Sequence, residues 1–227
     1  MGLLGSIFGK SKEQPASNPI RETLFGDMPL EQWPREDSVS NDFPWSEFVS
    51  ARSHLAAGNQ NAAIDCWRKI TQQPDLEPRQ HLQAWHFLRL HGQQPPPEQA
   101  KQVLGVVIEV AMPAGLDLLA AYPDHSSRYY NYSGAGVVWE HPDTSLDSAI
   151  DQLLEASKQI VDKIGPWENA RQAPPIRDQA RLNFLTPSGL HFGQAPMSAL
   201  SRDPMAGRVL NLATILMKAL IAKTNKK

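Results

Sequence analysis

Residues Asp124, His125, Ser126 and Ser127 bring together the side-chain types of an acid, a base and a nucleophile. A Ser-His-Asp set works only when hydroxyl, imidazole and carboxylate aim at one another, and such sets are assembled from distant segments. Neighbours along one turn point apart, and no Gly-x-Ser-x-Gly elbow is present to offer a serine. The histidines suggest a second chemistry. Hairpins lying side by side would let His125, His141 and His191 converge as a three-histidine metal site. The same rings could instead meet a carboxylate such as Asp124 or Glu140 and serve a small hydrolase. Ser133-Gly134-Ala135-Gly136 has the composition of a phosphate loop but lacks the spacing of either nucleotide fingerprint, and it leads into a strand pattern. Glycines at a strand junction supply the backbone freedom a hairpin needs. HExxH, P-loop, EF-hand and helical paired-carboxylate motifs are all missing, which weighs against an enzyme without excluding one.

Recognition is the alternative to turnover. In an extended chain Arg128, Tyr130 and Tyr132 share one face, and Tyr129 shares the other with Asn131. One set can pack beneath helices, and the other, if exposed, would have the aromatic and arginine content that binding hot spots favour. Trp33, in the proline-rich N-terminal stretch with Phe25, Phe43 and Trp45, either pins that stretch to the body or docks a partner.

These residues need elements to position them. "GVVIEVAM" (105–112), "GLDLLAAY" (115–122), "SRYYNY" (127–132) and "GVVWE" (136–140) read as strands. Turn chemistry separates them, so the four make an antiparallel meander; parallel pairing would need long crossovers. "TSLDSAIDQLLEASKQIVDKIGP" is the clearest helix, with apolar residues from Leu146 to Ile164 at i, i+3, i+4 spacing. Thr144 and Asp147 are its expected N-terminal cap, and Gly165-Pro166 its stop. "RLNFLTPSGLHFGQ" reads as a hairpin turning at Pro187-Ser188-Gly189. The last helix, "DPMAGRVLNLATILMKALIAK", has only a narrow polar stripe at Asn211, Thr214 and Lys218. That predicts burial between layers or half of a homodimer interface. The order β-β-β-β-α-β-β-α predicts an α+β fold in which an antiparallel sheet carries two long helices. At this coarse level it looks like small sheet domains of the profilin or roadblock kind, though no motif identifies either.

Ahead of the sheet, "SEFVSARSHLAAGNQNAAIDCWRKITQQPDLEP" reads as two short amphipathic helices meeting at Ala57-Gly58-Asn59. Over Glu47–Pro74 the pair resembles a single tetratricopeptide repeat, matching at Ala51, His54, Gly58, Ala63, Trp67 and Pro74. Phe48 only approximates the family's large aromatic, and Ser50 stands where the family has Leu. The resemblance implies a partner-binding helical hairpin. A further helix carries Leu82, Trp85, Leu88 and Leu90 on its apolar positions and stops at Gly92. The chain also resembles bacterial proteins with a "TPSGLHFG"-like hairpin before a C-terminal helix, which implies no activity. The predicted organisation is a flexible strap over 1–45, a helical layer over 46–104 and an α+β domain over 105–227.

Composition narrows the function. The chain has 227 residues, 41% of them hydrophobic, enough for a sizeable core. Its formal net charge of −2 offers no basic stripe for nucleic acid; the one cluster, Lys223, Lys226 and Lys227, reads as a solubilising tail. Cys66 is the sole cysteine, which excludes an internal disulfide and points to a reducing, cytoplasmic setting. No run of about 18 apolar residues is present to span a bilayer. "MGLLGSIFGKSK" is too short and lightly charged for a secretory signal. Gly2 and Ser6 fit a myristoylation pattern, and residues 3–12 could touch a membrane surface. The leading expectation is a protein-interaction or adaptor module without a cofactor, recognising a protein partner through Arg128, Tyr129, Tyr130, Tyr132 and Trp33. The alternatives are the histidine-based enzyme and an immunity protein that neutralises a toxin.

Overall fold

The computed structural model describes residues 19–34 and 41–224. The expectations for residues 1–12 and for Lys226 and Lys227 therefore lie outside the described residues. The elements are α1 (Pro19–Glu22), α2 (Trp45–Ala56), α3 (Gln60–Gln72), α4 (Pro78–Leu90) and α5 (Pro97–Ala100). Strands β1 (Gly105–Met112), β2 (Gly115–Ala121), β3 (Ser127–Tyr130) and β4 (Gly136–Trp139) follow. Helix α6 (Asp147–Val161) then precedes β5 (Gln179–Thr186), β6 (Gly189–Pro196), α7 (Met197–Leu200) and α8 (Ala206–Thr224). The protein is α+β. Its six strands form one antiparallel sheet in the order β4-β3-β2-β1-β5-β6.

Period-two alternation in the central strands dictates the layering. Val107, Leu118, Ala120, Tyr122 and Leu185 turn to one face, where they share a core with Trp67, Phe87 and Leu88 of the helices. Val106, Ile108, Leu119, Leu182 and Phe184 turn to the other, against Ile150 and Leu153 of α6 and Val209, Leu216 and Leu220 of α8. Burial on both faces explains why β1 reads as a nearly continuous apolar run, whereas β5 buries Arg181, Asn183 and Thr186 as well.

The predicted helical hairpin forms as α2 and α3. Gly58 takes φ +78°, and the hydrogen bonds Gly58 N–H to Leu55 O (2.9 Å) and Asn59 N–H to His54 O (2.8 Å) close α2 with a Schellman cap. Ala51 and Ala63 are fully buried and let the helices approach, while the Trp67 ring fills the space 5.3 Å from that of Phe87. Cys66 is a core residue: burial, reinforced by Glu47, pushes its thiol up to about 11, so it stays protonated and unreactive.

Residues 19–34 are a packed strap. Leu24 and Phe25 are buried in the same core as the helices and sheet. Gln83 clamps Met28, its Nε2 donating to Met28 O and its Oε1 accepting from Met28 N–H, both at 2.9 Å. Tyr122 Oη donates to Leu24 O at 2.7 Å. At Gly26, with φ +62°, the strap passes so near α4 that a Cβ would sit 2.7 Å from Leu82 Cβ, a place for glycine alone.

The strap also carries Arg21 to Glu109 of β1, which has no solvent exposure. The opposite oxygen of Glu109 accepts from Arg181 Nη1 (3.3 Å) and Asn183 Nδ2 (3.0 Å) on β5. Arg21 Nη2 and Arg181 Nη2 go on to the carbonyls of Gln172 and Ala173, each at 2.8 Å. Register enforces this, because β1 places Glu109 directly opposite Arg181.

Several expectations are corrected. Thr144 and Asp147 do not cap α6: the helix begins at Asp147 after an Asx turn in which Asp143 accepts from Ser145 N–H, and no side-chain cap is present. Leu90 is 65% exposed because α4 ends there. Strand β3 stops at Tyr130, since Asn131 N–H already bonds across the turn to Ala135 O. Helix α8 is not buried between layers: its polar stripe, Asn211, Thr214 and Lys218, is exposed together with Ile215, as on an outer-layer helix. Among the described residues no helix is long and apolar enough to cross a membrane.

Replacing Glu109 by Gln leaves two buried guanidinium groups without their shared carboxylate and is expected to cost about 3–5 kcal/mol of folding stability. Replacing Arg21, Glu109 and Arg181 together by Met, Leu and Met is expected to restore most of it, with urea denaturation midpoints as the readout.

Candidate functional site

The β2–β3 turn, the exit from β4 and the start of α6 converge at one end of the sheet, bringing together His125, His141 and Asp147. The turn is closed by Tyr122 N–H to Ser126 O and His125 N–H to Tyr122 O, both 3.0 Å. Asp124 Oδ1 accepts from Ser126 N–H (3.0 Å) and Ser126 Oγ (2.7 Å). That commitment keeps Asp124 and Ser126 from forming a catalytic set with His125. The turn holds His125 at φ +59°, in the left-handed region, one of three non-glycine residues there among the described residues, with Arg177 and Asp178.

The imidazole of His125 lies between two carboxylates. Nε2 is 2.9 Å from Asp151 Oδ1, and Nδ1 is 3.6 Å from Asp147 Oδ2. His141 Nε2 is 3.1 Å from both oxygens of Asp147. The two rings lie 5.4 Å apart. One ligand atom from each of His125, His141 and Asp147 falls within 4.8 Å of the others. Metal–ligand bonds of about 2.0–2.2 Å put first-shell atoms roughly 3.3 Å apart, so modest side-chain rotation would close this set on an ion. Asp151 would then act from behind. A carboxylate accepting the far N–H of a ligating histidine fixes its tautomer and strengthens it as a ligand. Asp147 and Asp151 stand four residues apart on α6, one turn of the same helix face. That spacing was the sequence signal for them.

His191 does not join this group. It sits on β6, opposite Phe184, fully buried beside Thr186, and β6 is the sheet edge farthest from β4. At roughly 4.8 Å per strand the sheet keeps it some 20 Å away. Glu140 is also engaged elsewhere, 3.4 Å from Arg128 Nη2.

The expected recognition residues are mostly packed. Trp33 is partly buried, its ring 5.4 Å from Trp45 and 5.8 Å from Phe48. Tyr130 packs on the helical-layer core and Tyr129 on the α6–α8 core, so both faces of β3 are covered. Tyr129 Oη donates to Asp117 Oδ2 at 3.0 Å; burial and this carboxylate push its hydroxyl up to about 12. The Arg128 side chain is only 13% exposed. Tyr132, beyond the end of the strand, is 53% exposed.

Compared with known proteins, the chain matches no family model, no curated protein and no solved structure.

Burial holds His86 down at about 4 and lowers His81 and His191 below the ordinary histidine value. The unfolded chain therefore binds protons that these folded imidazoles refuse. Their stabilisation is fully present above pH 6.5 and is lost as pH falls towards about 4. For His86 alone the loss is about 2–3 kcal/mol. Urea midpoints measured across that range should fall, and the slope should be shallower in His86→Phe.

Proposed function

We propose that this chain binds a divalent transition-metal ion of the zinc type through His125 Nδ1, His141 Nε2 and an oxygen of Asp147. The convergence of these groups from the β2–β3 turn, the β4 exit and α6 is the observation that carries the reading. Two imidazoles and one carboxylate are a donor set suited to such ions. With His125 and Asp147 partly buried and His141 exposed, a fourth position faces solvent. Three protein ligands with a place for water are the pattern of zinc sites that do chemistry, where the ion lowers the pKa of bound water to about 7. A metal-dependent hydrolytic activity is the reading to which this geometry leads.

Titration calorimetry of EDTA-treated protein with zinc chloride is expected to show one ion per chain. His125→Ala, His141→Ala and Asp147→Ala are expected to abolish binding, and Asp151→Asn to weaken it about 10- to 100-fold. Affinity should fall from pH 7.5 to 5.5, because both imidazoles must be neutral to ligate. Absence of binding heat, or retention of full affinity in Asp147→Ala, would end the proposal.

A protein-interaction module is the second reading, favoured by the exposure of Tyr132 and Met112 on either side of Gly115. It expects self-association or a partner complex, detected by light scattering on a sizing column and lost in the Tyr132→Ala, Met112→Ser variant.

A further inference from the structure

A concavity of about 670 Å³ opens between the strap, α4, the β5–β6 turn and residues 166–171. Its volume falls in the range of small-molecule sites. Leu90, Trp167 and Leu190 supply apolar wall, and Leu90 and Trp167 are 65% and 37% exposed.

Charge is what distinguishes this cleft. Arg171 lines it, and its Nε and Nη2 grip Asp27 at 2.6 and 3.1 Å while Nη2 also meets Glu22. Asp27 is thereby spoken for. Arg171 is itself nine-tenths buried, and its Nη1 has no hydrogen-bond partner among the described residues. Glu168, the other acid lining the cleft, is exposed to solvent. His86 is neutral at pH 7, since burial holds it at about 4. Arg89 is left over. Half-buried at the end of α4, it makes one hydrogen bond, Nη1 to Pro187 O at 2.6 Å, and no ion pair among the described residues. Burial pulls its guanidinium down to about 10 against the opposing field of the Asp27 carboxylate, which does not reach ion-pair distance of it. The β5–β6 turn also brings the Ser188 hydroxyl to the cleft, paired with Thr186 Oγ1 at 2.9 Å.

We propose that this cleft binds a small molecule bearing a single carboxylate or phosphate head on an apolar body. The head seats on the Arg89 guanidinium beside Ser188, and the body lies against Trp167, Leu90 and Leu190. A planar five-donor fork receives either anion, and pairing compensates the buried charge. The site is independent of the metal centre. Pro166 follows the C-terminal end of α6, whereas Asp147 begins it, and 15 residues of helix separate the ends by roughly 22 Å.

The test uses the full chain with inorganic phosphate, benzoate and, as the neutral aromatic control, benzyl alcohol, each titrated calorimetrically. Binding of benzoate without phosphate assigns the head as carboxylate; the reverse, or both, assigns or includes phosphate. In each case Arg89→Gln is expected to lower affinity about tenfold or more, with zinc binding unchanged. Leu90→Glu sets a negative charge at the cleft from a mostly exposed position, is not expected to disturb folding, and should weaken the same probes. If Arg89→Gln does not fold, Leu90→Glu decides. The proposal is overturned if neither anion binds, if benzyl alcohol binds as tightly, or if anion affinity survives the folded variants unchanged.

Discussion

Glu109 occupies the middle of the central strand, without solvent, between Arg21 of the strap and Arg181 of the neighbouring strand. A lone carboxylate there would be prohibitive, and so would either guanidinium. Together they are tolerable, and each accounts for the position of the others. Arg21 commits the strap to this face, Asn183 and Gln172 complete the hydrogen bonding, and the strap then delivers Phe25 into the core and Asp27 to Arg171. The Phe25 ring lies under Arg171 at 4.1 Å, so the order of residues 166–171 also descends from this arrangement. A buried ionic network adds less stability than an apolar core of equal volume would, but it punishes every misplacement of its members.

That constraint bears on function through α6 and the segment after it. The helix is fixed by its apolar side against the sheet, with Ile150 and Leu153 buried. Its first two turns offer Asp147 to both histidines and Asp151 to His125, and the chain beyond its last turn folds over the strap to wall the Arg89 cleft. One rigid helix thus supports two chemically different places. The proposed metal site is built from turn residues braced by a helix, and the cleft from a helix end and a hairpin turn braced by the strap.

Much of the fold was legible in the sequence. Alternation and turn residues located all six strands to within a residue or two, and Gly58 marked the helical hairpin. Glu109 was opaque, because a single acid in "GVVIEVAM" looks like a solvent-facing strand residue until the strap is known to cover it. The candidate site was half legible. His125 and His141 were recognisable, but Asp147 resembled a helix cap and Asp151 one more polar residue on a helix. Grouping His191 with them failed because strand order, which short-range pattern does not reveal, sends β6 to the opposite edge. Period two cannot tell a covered face from an open one: Tyr129 and Tyr130 each pack partly against a core, while Tyr132, beyond the strand, is 53% exposed.

The central functional claim is that three segments close on one metal ion. X-ray diffraction from crystals grown with zinc, with data collected on both sides of the zinc absorption edge, addresses it directly. An anomalous peak is expected within bonding distance of His125 Nδ1, His141 Nε2 and Asp147, with Asp151 hydrogen-bonded to the far side of the His125 ring. A map without a peak there, the two imidazoles still paired only with their carboxylates, would contradict it.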